Sequence, residues 1–271
     1  MTLLEEEFHL LRDLVYEGTG LMFDDRKLAY MESRVAKRMP AVNCANVRDY
    51  FRHLRYRDPG RSELQALTEL LTTNETYFFR DPAQYEAIRS VLLPRLMEER
   101  QQTKKLRFWS AAASTGQEAY SLAMLLIAQG LSDWDVRILG TDFSSQVLER
   151  ARSGKYQQIE VNRGLPASLL VKHFRQSGTE WQLSEPVRRM VSFETIDLRN
   201  SMHGLGPFDL VFCRNVMIYF DAGTKKSILE ELHRTMFGGA WLLLGGVETA
   251  FGVDEWFERQ TVQNATVYVA R

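Results

Sequence analysis

The sequence predicts an α/β chain in two parts: a small all-α N-terminal domain, then a mostly parallel sheet domain with a small β-hairpin inserted. Three observations carry this. Before about residue 105 the apolar residues recur at helical spacing, with no strand-like alternation. Beyond it, short apolar runs alternate with helical segments, the pattern of βαβ units. Between two of those runs lie almost fifty residues, far more than an ordinary crossover needs.

The elements follow in order. Leu4, Phe8, Leu11 and Val15 share one helix face, and Gly18 and Gly20 end the run. Leu28, Met31, Val35 and Met39 repeat the pattern until Pro40 stops it. Val47, Tyr50, Phe51 and Leu54 form a third stripe capped by Asn46. Ser62 and Gln65 read as a capping box for a helix carrying Leu64, Leu67, Leu70 and Leu71. Asp81, Pro82 and Gln84 read as cap, first-position proline and N3 partner of a fifth helix.

Strands are expected at 106–110, 136–141, 191–196, 208–213, 240–244 and 266–270, with helices near 117–129, 144–153 and 224–237. The long connection supplies its expected helix at 144–152 and room for another at 166–174. The stretch 179–190, with Trp181, Leu183, Val187 and Met190, reads as the inserted hairpin. The expected division is a helical domain over 1–71, a linker and helix over 72–105 that contribute to the cofactor site, and a sheet domain over 106–271 with its insertion near 177–190.

The chain has 271 residues, 34 basic against 35 acidic, for a net charge of -1. That balance argues against a general nucleic-acid binder. Two cysteines, Cys44 and Cys213, make neither a disulfide framework nor a zinc site, and the five histidines lack ligand spacing, so no metal is expected. The acidic start MTLLEEEFHLL lacks the basic segment of a signal peptide, which predicts a cytoplasmic protein.

The first strand–loop–helix, FWSAAASTGQEAYSLAML, places a small-residue loop where a Rossmann-like domain holds its cofactor. It has one glycine, Gly116, rather than the three of the dinucleotide fingerprint. A ligand without phosphate fits better, and S-adenosylmethionine is the common one. Asp142 ends the next strand, about 25 positions past the loop, where an acid accepts hydrogen bonds from ribose hydroxyls. Asp197 and Asn215 end the third and fourth strands, on the sheet edge where open α/β folds bind ligands.

Together LTTNETYFFRDP, WSAAASTGQEAYSLAM, GTDFS, ARSGKY and CRNVMIYF closely resemble the chemotaxis receptor glutamate O-methyltransferases, the CheR-type family, along essentially the whole chain. The resemblance implies a helical domain joined to a class I (Rossmann-like) S-adenosylmethionine-dependent methyltransferase domain. It implies methyl transfer to receptor glutamate side chains, with S-adenosylhomocysteine as product and sensory adaptation as the outcome. By resemblance Asn74, Thr76 and Arg80 are cofactor-contacting linker residues, and Glu118 is a cofactor-binding acid. Asp142 matches the ribose ligand, Asp197 and Leu198 the pair near the adenine, and Asn215 and Val216 the pair after the fourth strand. Arg80 and Tyr219 match residues near the reactive methyl. The family's usual GEEPYS reads Gly116-Gln117-Glu118-Ala119-Tyr120-Ser121 here, which keeps the second acid and changes its two neighbours.

A basic segment lies inside the neutral total. Residues 26–61 hold ten Lys or Arg and three acids. Arg34, Lys37 and Arg38 share one helix face, and Arg48, Arg52 and Arg55 another, a surface suited to clustered receptor carboxylates. The expected partners are the cytoplasmic signalling domains of receptors, with recruitment to membrane arrays and no nucleic acid. The short Ser177-Gly178-Thr179-Glu180 turn favours independence from a receptor C-terminal peptide, and a monomer is expected. A methyltransferase for another protein or small molecule, or an inactive cofactor-binding scaffold, are the competing readings.

Overall fold

The computed structural model describes residues 2–72, 75–131, 133–250 and 252–271. The chain divides into two compact units: Met1–Glu75 with Tyr219–Lys225, and Thr76–Ile218 with Lys226–Arg271.

In the first unit, α1 (Glu5–Thr19), α2 (Leu28–Arg38), α3 (Val47–Arg52) and α4 (Ser62–Leu71) bury the apolar stripes the sequence lays out. Phe8, Leu11, Val15, Met31, Val35, Tyr50 and Leu67 are fully buried. Leu4 departs from the expectation: it precedes α1 as its N-cap and is 56% exposed. Gly20 closes α1 in the left-handed conformation and Asn46 caps α3, accepting the Asp49 N–H at 2.9 Å. The Ser62–Gln65 capping box does not form, because Ser62 lies inside α4. Asp58 caps that helix instead, accepting the Glu63 and Leu64 N–H groups at 2.9 and 3.0 Å.

The second unit opens with α5 (Pro82–Ala87) and α6 (Leu93–Glu99). The cap expected at α5 is also absent. Asp81 has φ 65° and makes no side-chain cap, while Gln84 Nε2 donates to the Leu244 carbonyl at 2.8 Å. Then follow β1 (Lys105–Ala111), α7 (Gln117–Ala128), β2 (Asp135–Asp142), α8 (Ser145–Ser153) and β3 (Lys155–Gln157). The long connection continues with α9 (Gln158–Val161), α10 (Ala167–His173), β4 (Phe174–Ser177), β5 (Glu180–Leu183) and α11 (Glu185–Arg188). The insertion is therefore a three-stranded sheet, ordered β3-β5-β4, and 185–188 is a helical turn rather than part of a hairpin.

The remaining elements are β6 (Val191–Thr195), β7 (Phe208–Cys213), α12 (Ala222–Arg234), β8 (Met236–Leu244), β9 (Phe257–Val262) and β10 (Ala265–Ala270). The large sheet runs β6-β2-β1-β7-β8-β10-β9. Its first five strands pair in parallel, and β10 pairs antiparallel with both β8 and β9. Every residue of β7 is buried, as a strand inside a parallel sheet requires. β1 and β7 are neighbours far apart in sequence, and their carboxyl ends flank the point where the winding direction changes.

Candidate active site

The loop between β1 and α7 is backbone-shaped. Ala112, Ser114 and Gly116 have φ values of 64°, 50° and 92°. At Gly116 a Cβ would also lie 3.0 Å from Ala151 and 3.1 Å from Tyr120, so only glycine fits the turn into α7. Asp142 holds this loop from the end of β2: one carboxylate oxygen accepts the Ser114 N–H at 2.9 Å and the other the Ser144 N–H at 3.1 Å.

Glu118, in the first turn of α7, accepts the Ser110 hydroxyl at 2.7 Å. Its other oxygen lies 3.2 Å from Arg214 Nη1, and the two side chains are only 13% and 2% exposed. Burial pushes the Glu118 carboxyl above its ordinary value, opposed chiefly by the Arg214 guanidinium and the Ser110 hydrogen bond. Arg214 Nη2 donates to the Arg80 carbonyl. Its Nε and Nη1 are buried without a hydrogen-bond partner, Nη1 facing Glu118 at ion-pair distance but without alignment. A buried cation with unspent donors beside a buried carboxylate suits the zwitterionic amino-acid end of a ligand. Together with Asp142, these residues fit S-adenosylmethionine. Arg214, inside CRNVMIYF, was absent from the sequence assignment; a charged residue directly after an apolar strand was the available signal.

Thr76 and Arg80 lie on the segment leading into α5. Phe78 anchors it, fully buried edge-on against Tyr156 and Phe174 with centroids at 5.0 and 5.6 Å. The Phe79 N–H donates to the Ser121 hydroxyl at 2.9 Å. Phe79 and Asp81 both take positive φ, so the Arg80 backbone is fixed on either side. Its guanidinium stands 5.5 Å from the Tyr77 ring centre, and that of Arg163 stands 4.4 Å from the same ring. Asn74 lies outside the described residues.

Asp197 follows β6 with its carboxylate gripped by Arg199, whose Nε donates at 3.0 Å and Nη2 at 2.5 Å; Leu198 is buried. Asn215 takes φ 59° after β7, Val216 beside it is half-buried, and the Asn215 N–H donates to Glu248 at 2.7 Å. Arg80, Arg214, Glu118 and Ser110 thus form one connected group, Asp142 a second with the β1 loop, and Asn215 a third with Glu248. Tyr219 belongs to the first unit, where its carbonyl accepts the Met22 N–H at 2.9 Å. The Gln117 departure is accommodated: its side chain is buried and accepts the Thr115 hydroxyl at 2.7 Å.

The basic residues of the first unit divide. Arg38 turns inward and pairs with buried Glu63, which also accepts the Tyr50 hydroxyl at 2.6 Å. Arg34 stacks on Tyr30 with its guanidinium 3.7 Å from the ring centre. Lys37, Arg48, Arg52 and Arg55 are exposed. Among the described residues no cluster of His, Cys, Asp or Glu could hold a metal ion, and no helix is long and apolar enough to cross a membrane.

Comparison with known proteins finds two family models, one after the other along the chain. Residues 6–72 match the CheR methyltransferase all-alpha domain, and residues 74–266 match the CheR methyltransferase SAM binding domain. The chain is 31% identical to chemotaxis protein methyltransferase 1 of Pseudomonas aeruginosa over the whole of both chains. It is 30% identical to chemotaxis protein methyltransferase Cher2 of Pseudomonas putida over 98% of each chain. It is also 31% identical to the chemotaxis protein methyltransferase of Borreliella burgdorferi, over 93% of this chain and 91% of that one. An all-alpha domain followed by a SAM binding domain is what the family match describes: the chain belongs to the CheR methyltransferase family and is an S-adenosylmethionine-dependent methyltransferase.

Proposed function

We propose that the protein methylates glutamate side-chain carboxylates on the cytoplasmic signalling domains of chemotaxis receptors, in sensory adaptation. The observation that carries this reading is the character of the carboxyl edge: it offers buried charged and backbone hydrogen-bonding groups suited to binding and alignment. Such a site suits a substrate that brings its own nucleophile. A glutamate carboxylate, with a reference pKa near ~4.3, is already ionised at neutral pH and needs no general base. The full-length likeness to chemotaxis protein methyltransferases supports the same substrate class.

In this reading Thr76, Arg80, Glu118, Asp142, Asp197, Leu198, Asn215 and Val216 hold the cofactor, joined by Arg214. Asn74 keeps its assignment from the family resemblance. The bound cofactor supplies a methyl group on a sulfonium, an activated leaving group. The protein's own part is alignment and exclusion of water. Arg80 steers the incoming carboxylate without neutralising it, because tight pairing would blunt the nucleophile. The Tyr219 hydroxyl orients the reacting group. Glu118 takes up the ligand ammonium, and Arg214 its carboxylate. The exposed Lys37, Arg48, Arg52 and Arg55 receive the acidic receptor helix; Arg38, being turned inward, contributes to that face mainly through the fold. The protein works as a cytoplasmic monomer recruited to receptor arrays, independently of a receptor C-terminal peptide.

The test is to incubate the full chain with methyl-labelled S-adenosylmethionine and receptor signalling domains, then treat the product with mild base. Label released as methanol is the expected result. Base-stable label, or transfer only to another acceptor, overturns the glutamate reading, and cofactor binding without any transfer points to a scaffold.

A further inference from the structure

Glu248 lies on the loop after β8 and is only 8% exposed. Its carboxylate accepts three backbone N–H groups: Asn215 at 2.7 Å, Gly245 at 2.7 Å and Ile218 at 3.3 Å. Two of these donors follow β7 and one follows β8, parallel neighbours in the sheet. One buried charge therefore fastens the carboxyl ends of two strands to each other.

The node is tightly built. Asn215 has φ 59°, in the left-handed region that asparagine enters more readily than most residues with a Cβ. The Glu248 oxygen on its N–H anchors that turn. At Gly245 an added Cβ would lie 2.7 Å from the Asn215 side-chain Nδ2, 2.7 Å from the same Glu248 oxygen and 3.0 Å from the Asn215 backbone nitrogen. Glycine is thus required for the carboxylate to come this close. The Glu248 N–H in turn donates to the Gly245 carbonyl at 2.8 Å, which closes the turn that carries the acid. An ionised acceptor out of water makes its hydrogen bonds stronger and their loss dearer.

We propose that Glu248 is a positioning residue for methyl transfer: its carboxylate anchors the backbone turn at Asn215 and so aims the Asn215–Val216 pair at the cofactor. This rests on the reading of that pair as cofactor contacts. Glu248 touches no reacting atom. It acts through the backbone it holds, so its removal weakens cofactor binding before it affects receptor binding. Glu248→Gln preserves shape but replaces one acceptor oxygen with an amide nitrogen that faces backbone donors. Glu248→Asp keeps the charge but is one methylene short.

The experiment titrates the full-length chain, as wild type, Glu248→Gln, Glu248→Asp, Gly245→Ala and Asn215→Ala, with S-adenosylhomocysteine by calorimetry. Melting temperatures and the separate KM values for S-adenosylmethionine and for receptor are measured in parallel. Losing one charge-assisted hydrogen bond predicts about 10-fold weaker binding in Glu248→Gln and Gly245→Ala, with Glu248→Asp intermediate. The KM for S-adenosylmethionine rises in step and the KM for receptor stays put. Affinities within twofold of wild type in both Glu248→Gln and Gly245→Ala overturn the proposal. So does an equal rise in both KM values alongside a lowered melting temperature, which marks a merely structural role. Wild-type affinity in Asn215→Ala overturns the cofactor reading of Asn215 itself, separately from the role of Glu248.

Discussion

The sheet unit and the helical unit both rely on arginine and carboxylates, in opposite settings. In the sheet unit Arg214 is 2% exposed and Glu118 13%. In the helical unit Arg48 and Arg52 are 72% and 66% exposed, and sit 3.9 and 3.7 Å from Glu7 and Asp49. The same ion pair is costly to break in the first setting and nearly neutral in the second, because water screens the exposed pairs far more than the buried one. Arg38 and Glu63 are the exception that makes the rule physical: they lie in the helical unit yet behave like the interior pair, with Glu63 5% exposed.

Four substitutions probe this contrast, the largest effect first. Arg214→Met leaves the buried Glu118 carboxylate the Ser110 hydroxyl but removes its ion-pair partner, and urea unfolding should register a loss of about 3 kcal/mol. A change under 1 kcal/mol would mean that water reaches the pair. Arg38→Ala strands Glu63 but leaves it the Tyr50 hydroxyl, and Arg38 itself is 26% exposed, so a loss of about 2 kcal/mol is expected. Reversing Arg38 along with Arg34 and Lys37 would therefore confound docking with folding.

Asp221 comes third. It accepts the Thr224 N–H at 3.0 Å and the Thr224 hydroxyl at 2.7 Å at the start of α12, and Tyr16 donates to it at 2.9 Å. The Thr224 backbone hydrogen bond, first among these, holds its carboxyl down at about 2. A depressed carboxyl stabilises the fold above its unfolded value and loses that contribution as pH falls through the folded one. Asp221→Ala should cost about 1 kcal/mol at pH 7, as cap removal does, and flatten the decline in stability between pH 4 and 2. An unchanged acid limb would argue against the cap. Smallest in stability is the combined Lys37, Arg48, Arg52 and Arg55 to Glu variant, expected within about 0.5 kcal/mol of wild type per site. Its receptor KM should nevertheless rise several-fold at low salt, with the difference shrinking as salt screens the surface. A salt-independent rise would remove electrostatic docking from the account.

What the sequence made legible follows the range of the forces involved. Helix stripes such as Phe8, Leu11 and Val15, and strands such as 208–213, are local periodic signals, and they appear where expected. The strand-end acids were legible because α/β topology places them on one edge. Asp58 displacing the Ser62 cap was not, since a left-handed Arg61 intervenes. β9 was missed because Glu258, Arg259 and Gln260 on an edge strand give no apolar alternation. Glu248 was invisible for a deeper reason. Its partner Asn215 lies 33 residues away, and only the pairing of β7 with β8 brings them together.

The two cysteines acquire a practical meaning from where the fold puts them. Cys213 ends β7 fully buried, and burial, followed by the Glu248 and Glu118 carboxylates, holds its thiol well above the usual range. Thiolate is the reactive form, so this sulfur is closed to alkylating reagents in the native protein. Cys44, half-buried beside the turn after α2, is the more accessible one, although burial raises its thiol as well. The wild-type chain therefore carries a single attachment point for a maleimide fluorophore, on the helical unit. On the docking reading proposed above, a reporter placed there would watch receptor engagement while leaving the methyl-transfer chemistry unlabelled.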